Sequence, residues 1–92
     1  MITKKERIQK ESIWLRENEK DGCAKCPRKD DLTLDHIIPR QILTQMGIDV
    51  LRFYAPENYQ VLCFPCNIFK GNQLDFSNPK TKELIIKYIE KL

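Results

Sequence analysis

The apolar positions and turn residues mark four helices and two short strands. Residues 4–20 contain no proline or glycine before Asp21-Gly22 stops the run, and Thr3-Lys-Lys-Glu6 has the form of a capping box. Ile8 and Leu15 lie two turns apart with Ile13 and Trp14 beside them, so the pattern predicts a helix with a broad apolar face and Trp14 as its core anchor rather than a base-stacking group. Leu32-Thr33-Leu34-Asp35 alternates and predicts a strand; Gln60 to Cys63 predicts a second. A short helix starts at Pro39, with Ile42, Leu43 and Met46 on one side and Gly47 as its stop, and another starts at Cys66. Residues 48–59 read as irregular, with Val50, Leu51, Phe53 and Tyr54 packing beneath them. Asn78 and Pro79 cap a last helix over 79–91, whose stripe of Leu84, Ile85, Tyr88, Ile89 and Leu92 docks on the body or forms a dimer face.

At 92 residues the chain is one domain, small enough to need a staple. The four cysteines form two Cys-x-x-Cys pairs, Cys23/Cys26 and Cys63/Cys66. A two-residue spacer lets both sulfurs of a pair face one ion, so the set reads as one tetrahedral structural zinc site rather than as redox disulfides. No apolar run reaches membrane-spanning length, and MITKKERIQKE lacks an apolar signal core, so a soluble, intracellular, cytoplasmic protein without membrane contact is expected. The formal charge of +3 falls to about +1 once four thiolates hold Zn²⁺. Residues 1–20 hold six Lys/Arg against four Asp/Glu, and 79–92 hold four against two, leaving the middle slightly acidic. This distribution permits nucleic-acid binding without requiring it; solvated helix faces would look the same.

The single histidine, His36, follows Asp35 at the end of the first strand, and Asn67 follows Cys66 at the start of a helix. Taken singly, His36 reads as structural, Asp35 as a turn or capping carboxylate, and Asn58 and Asn67 as capping amides. Together they match what phosphodiester hydrolysis requires. An imidazole can take a proton from water near neutral pH, and a hard divalent cation on oxygen ligands can stabilise the departing 3′-oxygen. Neighbours in a strand point opposite ways, so Asp35 and His36 can serve metal and water separately.

The ordered set Cys23-x-x-Cys26, Asp35-His36-x-x-Pro39, Asn58-x-x-x-Leu62-Cys63-x-x-Cys66-Asn67-x-x-Lys70 resembles the HNH endonuclease family. The resemblance implies an α+β, ββα-metal core over about 23–72, treble-clef-like, with a structural four-cysteine zinc and flanking helices at 4–20 and 79–91. It implies His36 as general base and Asp35 and Asn67 as ligands of a catalytic Mg²⁺ or Mn²⁺. It also implies Asn58 as the amide that holds the loop between the strands, and Lys70 as a phosphate contact. The product would be a DNA break with 5′-phosphate and 3′-hydroxyl ends, made from the minor-groove side with few base contacts. Arg40, Arg52 and Lys25 are further candidates for the DNA backbone. With no separate recognition domain, specificity is either low or supplied by a second copy or a protein partner. Two departures stand out: Asn67 replaces the histidine of many members, which favours oxygen-loving ions over zinc, and the usual glycine pair is missing, which leaves the path of residues 40–57 open. The competing expectation is a non-catalytic zinc module that binds nucleic acid or protein, which would have no use for Asp35, His36 and Asn67.

Overall fold

A computed structural model describes residues 2–48 and 54–90. The order is α1 (Lys4–Asn18), β1 (Leu32–His36), α2 (Arg40–Gln45), β2 (Tyr59–Cys63), α3 (Phe64–Lys70) and α4 (Pro79–Glu90), with 3-10 turns at Glu19–Asp21 and Pro56–Asn58. Strands β1 and β2 form an antiparallel hairpin-like pair, and α3 follows β2 directly, giving the ββα unit expected.

The register sets Leu32 opposite Cys63, Asp35 opposite Gln60 and His36 opposite Tyr59. The first cysteine knuckle is sewn onto β2: Cys23 N–H donates to Arg28 C=O at 2.9 Å, and Ala24 N–H donates to Val61 C=O at 2.9 Å. This turn needs glycine at 22, where φ is +78° and a Cβ would stand 2.9 Å from the Arg28 carbonyl oxygen. The other end is closed by Phe64 N–H on Asp31 C=O at 2.8 Å.

Two small clusters make the core. Ile37, Ile38 and Leu43 pack with Leu84 and Tyr88, so the stripe on α4 covers α2 and the loop after β1. Cys23, Leu62 and Cys63 form the second cluster around the knuckles. On α4, Ile85 packs at the edge of the first cluster and Ile89 stays 54% exposed.

Helix α1 departs from expectation. The capping box is present, with Thr3 Oγ1 accepting from Glu6 N–H at 3.1 Å and Thr3 N–H reaching Glu6 at 3.4 Å. Yet Ile8 and Ile13 are each 48% exposed, and the buried residue is Arg7. Arg7, Glu11 and Trp14 lie at i, i+4 and i+7, so the inward face is largely polar. Trp14 is half-buried, edge-on to Tyr59 with centroids 5.5 Å apart. Helix α3 begins at Phe64, two residues earlier than expected, because Cys63 has extended backbone at its N-cap and Pro65 suits the first turn. Tyr54 stacks edge-on to Tyr59 at 5.8 Å. Val50, Leu51, Arg52, Phe53 and Leu92 lie outside the described residues.

Candidate metal centre and active cleft

Four sulfurs, those of Cys23, Cys26, Cys63 and Cys66, lie within 4.8 Å of one another. A tetrahedral zinc with Zn–S of about 2.3 Å requires sulfurs about 3.8 Å apart, and Cys26 and Cys63 stand 3.6 Å apart. The donor set therefore fits a structural metal such as Zn²⁺. Part of the required negative charge is prepared by the backbone: burial raises the Cys23 thiol, but N–H groups of Cys63, Lys25 and Cys26 outweigh it and hold the pKa at about 6. Cys66, hydrogen-bonded to Cys63 and desolvated, is pushed up to about 12.

Because Cys66 joins α3 to this centre, the next residue is aimed at β1. Asn67 Nδ2 donates to Thr33 Oγ1 at 2.8 Å, and Thr33 in turn donates to Leu62 C=O at 2.7 Å. With its donor engaged, Asn67 offers its amide oxygen. Asp35, His36 and Asn67 line one cleft of about 220 Å³, with Arg40 and Asn72 also at its wall. Asp35 is 6% exposed; its Oδ2 accepts from Gln60 Nε2 at 2.9 Å and lies 3.2 Å from Lys70 Nζ. Gln60 is steadied by Asn78, which donates to it at 3.2 Å and also caps α4 through Lys80 N–H at 2.9 Å.

Asn58 does not reach the cleft. It is 1% exposed, its Oδ1 accepts from Ile38 N–H at 2.7 Å, and its Nδ2 donates to Ile38 C=O at 3.0 Å. Its own carbonyl accepts from Ile37 N–H at 2.8 Å. The two residues after His36 are thus clamped from the far strand's entry turn.

The cations sit differently from one another. Arg40 is exposed at the cleft. The Lys70 side chain is only 7% exposed and points inward, pairing with Asp35 and donating to His36 C=O at 2.9 Å. Lys25 is tied to Asp75 in an ion pair and to Ser77 Oγ at 2.5 Å, and it does not line the cleft that holds His36. That lysine holds the Asp75 carboxyl down to about 2.

His36 is lowered from 6.5 to about 4, first by burial and then by the charges of Arg40, Arg7 and Lys70. It is neutral at pH 7, the state in which an imidazole can accept a proton. Around it stand residues that apolar periodicity does not reveal: the ring of Tyr59, edge-on at 5.2 Å, and Glu11, whose Oε2 is 3.7 Å from His36 Nε2. Arg7 and Glu11 carry only the weak signal of an i,i+4 charge pair, which also occurs on solvated faces.

No curated protein and no solved structure matches the chain. The family model described as HNH endonuclease matches residues 23–73, from the first knuckle through both strands to the end of α3. That span takes in the four sulfurs, the ββα unit and every wall of the cleft, and on this ground the chain belongs to the HNH endonuclease family.

Proposed function

We propose that this protein hydrolyses DNA phosphodiester bonds with one divalent cation, Mg²⁺ or Mn²⁺, held by oxygens of Asp35 and Asn67, and with His36 as general base. The supporting observation is the convergence of a buried carboxylate, a pre-oriented amide and a neutral imidazole on one cleft. A bound divalent ion would neutralise phosphoryl charge and stabilise the departing 3′-oxygen. The chain's own residues do the rest. His36 takes the proton of the attacking water. Gln60 orients the Asp35 carboxylate, Lys70 pairs with it and would compete with the ion for it, and Asn58 keeps the loop after His36 in place. Asn67 is held against β1 by Thr33, and a zinc held by Cys23, Cys26, Cys63 and Cys66 would anchor the start of its helix.

Arg40 stands exposed where a DNA phosphate would approach, and Lys70 reaches a phosphate only by leaving Asp35. Specificity is either low or supplied by a second copy or a partner protein, in keeping with a core that offers backbone contacts before base contacts. Among the described residues no helix is long and apolar enough to cross a membrane, and an intracellular site of action is part of the proposal.

Digestion of supercoiled plasmid with Mg²⁺, Mn²⁺, Ni²⁺ and Zn²⁺, scored for nicked and linear product, tests the reading. Cutting with Mg²⁺ or Mn²⁺ that disappears in a folded, zinc-loaded His36→Ala protein is expected. No cutting with any ion would leave a binding module instead, and wild-type cutting by His36→Ala would overturn His36 as the base.

A further inference from the structure

Helix α1 lies outside the segment that matches the family, yet it sends charged side chains to the general base. Glu11 is the hub. Its Oε2 accepts from the Tyr59 hydroxyl at 2.5 Å and lies 3.7 Å from His36 Nε2, while its Oε1 is 3.6 Å from Arg7 Nη1. Arg7 is 3% exposed, and neither its Nε nor its Nη1 has a hydrogen-bond partner. Such a guanidinium is retained in so small a core only against a carboxylate, and Glu11 is the one beside it. Burial, and then Glu11 itself, raises the Tyr59 phenol, so the hydroxyl stays protonated and remains a donor. Tyr59 is opposite His36 in the sheet and packs against its ring at 84°, so one residue holds both the carboxylate and the imidazole.

We infer that Glu11 is a positioning residue, which selects the His36 tautomer with the proton on Nε2 and leaves Nδ1 as the atom that accepts the proton of water. A neutral imidazole has one N–H and one lone pair. A carboxylate facing Nε2 attracts the N–H and repels the lone pair. The 3.7 Å separation is longer than a hydrogen bond, and a small side-chain rotation closes it, as catalytic contacts tighten on substrate binding. A hydrogen bond to a charged acceptor biases the tautomer population on the order of tenfold or more. The helix that precedes the zinc module is thereby part of the catalytic apparatus, where composition alone suggested a solvated basic end. This inference rests on His36 being the base, but the tautomer can be read without any DNA.

His36 is the chain's only histidine, so ring ¹⁵N labelling of the zinc-loaded full chain yields one imidazole to assign at neutral pH. The expected wild-type spectrum has a protonated Nε2 and an unprotonated Nδ1. Glu11→Ala should erase most of this preference and slow plasmid cutting on the order of tenfold to a hundredfold, part of the worth of a positioned base, with zinc content unchanged. Glu11→Gln, whose amide oxygen still accepts from Nε2, should recover most of both. Should Glu11→Ala fail to fold with Arg7 left unpaired, the double variant Arg7→Met/Glu11→Ala removes both buried charges and carries the same expectation. A wild-type proton on Nδ1, or a tautomer ratio unmoved by loss of Glu11, overturns the inference. A wild-type protein that shows the expected tautomer and cuts no DNA overturns the proposed function and leaves the tautomer assignment standing.

Discussion

Replacing Asn58 by alanine tests how the loop after His36 is held. The side chain makes two hydrogen bonds to Ile38, at 2.7 and 3.0 Å, and both residues are sealed, at 1% and 0% exposure. Alanine takes away the partners but leaves the Ile38 N–H and C=O buried. Each of the two orphaned groups costs about 1–3 kcal/mol, so the loss is about 2–6 kcal/mol in total. For a chain of 92 residues, whose whole stability is on the order of 5–14 kcal/mol, that is a large fraction. With a urea slope of about 1–1.5 kcal/mol/M the midpoint should fall by about 1–6 M. The assay is urea unfolding at fixed free zinc, followed by the fluorescence of Trp14, the chain's single tryptophan, which packs edge-on to Tyr59. Asn58→Asp keeps the acceptor for Ile38 N–H but sets a carboxylate against Ile38 C=O, so it should not rescue. A loss below about 1 kcal/mol would refute the clamp as the structure draws it. So would a drop in Mn²⁺ affinity as large as that of Asp35→Ala, since Asn58 would then be acting at the cleft.

Three further outcomes are expected. Cys63 is 1% exposed, belongs to the four-cysteine cluster that fits a structural metal and stands at the N-cap of α3; since a structural zinc contributes on the order of 10 kcal/mol, Cys63→Ser should unfold the domain, and a well-dispersed NMR spectrum of zinc-free protein would count against this. Lys70→Met removes the cation beside Asp35, so Mn²⁺ binding followed by EPR should tighten and the slope of log DNA affinity against log salt should flatten by about one; weaker Mn²⁺ binding would show that Lys70 supports the site rather than competing for it. Because His36 is held at about 4 in the folded state against 6.5 unfolded, the unfolded chain binds the extra proton between those values. Stability from this group is complete above pH 6.5, about 3 kcal/mol, and is lost as pH falls toward 4. The imidazole C–H signals and the cutting rate should accordingly show no midpoint between pH 5.5 and 7.5, and a midpoint near 6.5 would mean that His36 is not desolvated as described.

The features legible along the chain are those set by covalent spacing and local periodicity. A two-residue spacer decides that the sulfurs of one knuckle converge, whatever the rest of the fold does, and the pair of knuckles announces a metal. Adjacent Asp35 and His36 necessarily reach one end of β1, and Asn67 necessarily follows Cys66 of the sulfur cluster into α3. The stripe of α4 was readable because an apolar face must be covered.

What only the tertiary structure decided involves groups that meet across long separations without an apolar signature. Gln60 reaches Asp35 because the β1–β2 register sets them opposite, and that register depends on how both strands sit on the core. Lys70 turns inward to a carboxylate 35 residues away, where a solvated lysine would be the usual outcome. Most of all, α1 presents Arg7 and Glu11 to the body and leaves Ile8 and Ile13 exposed. Periodicity ranks faces by transfer free energy, and on that measure a buried guanidinium is unfavourable. The compensation comes from Glu11, Tyr59 and His36, and it exists only once the helix has docked.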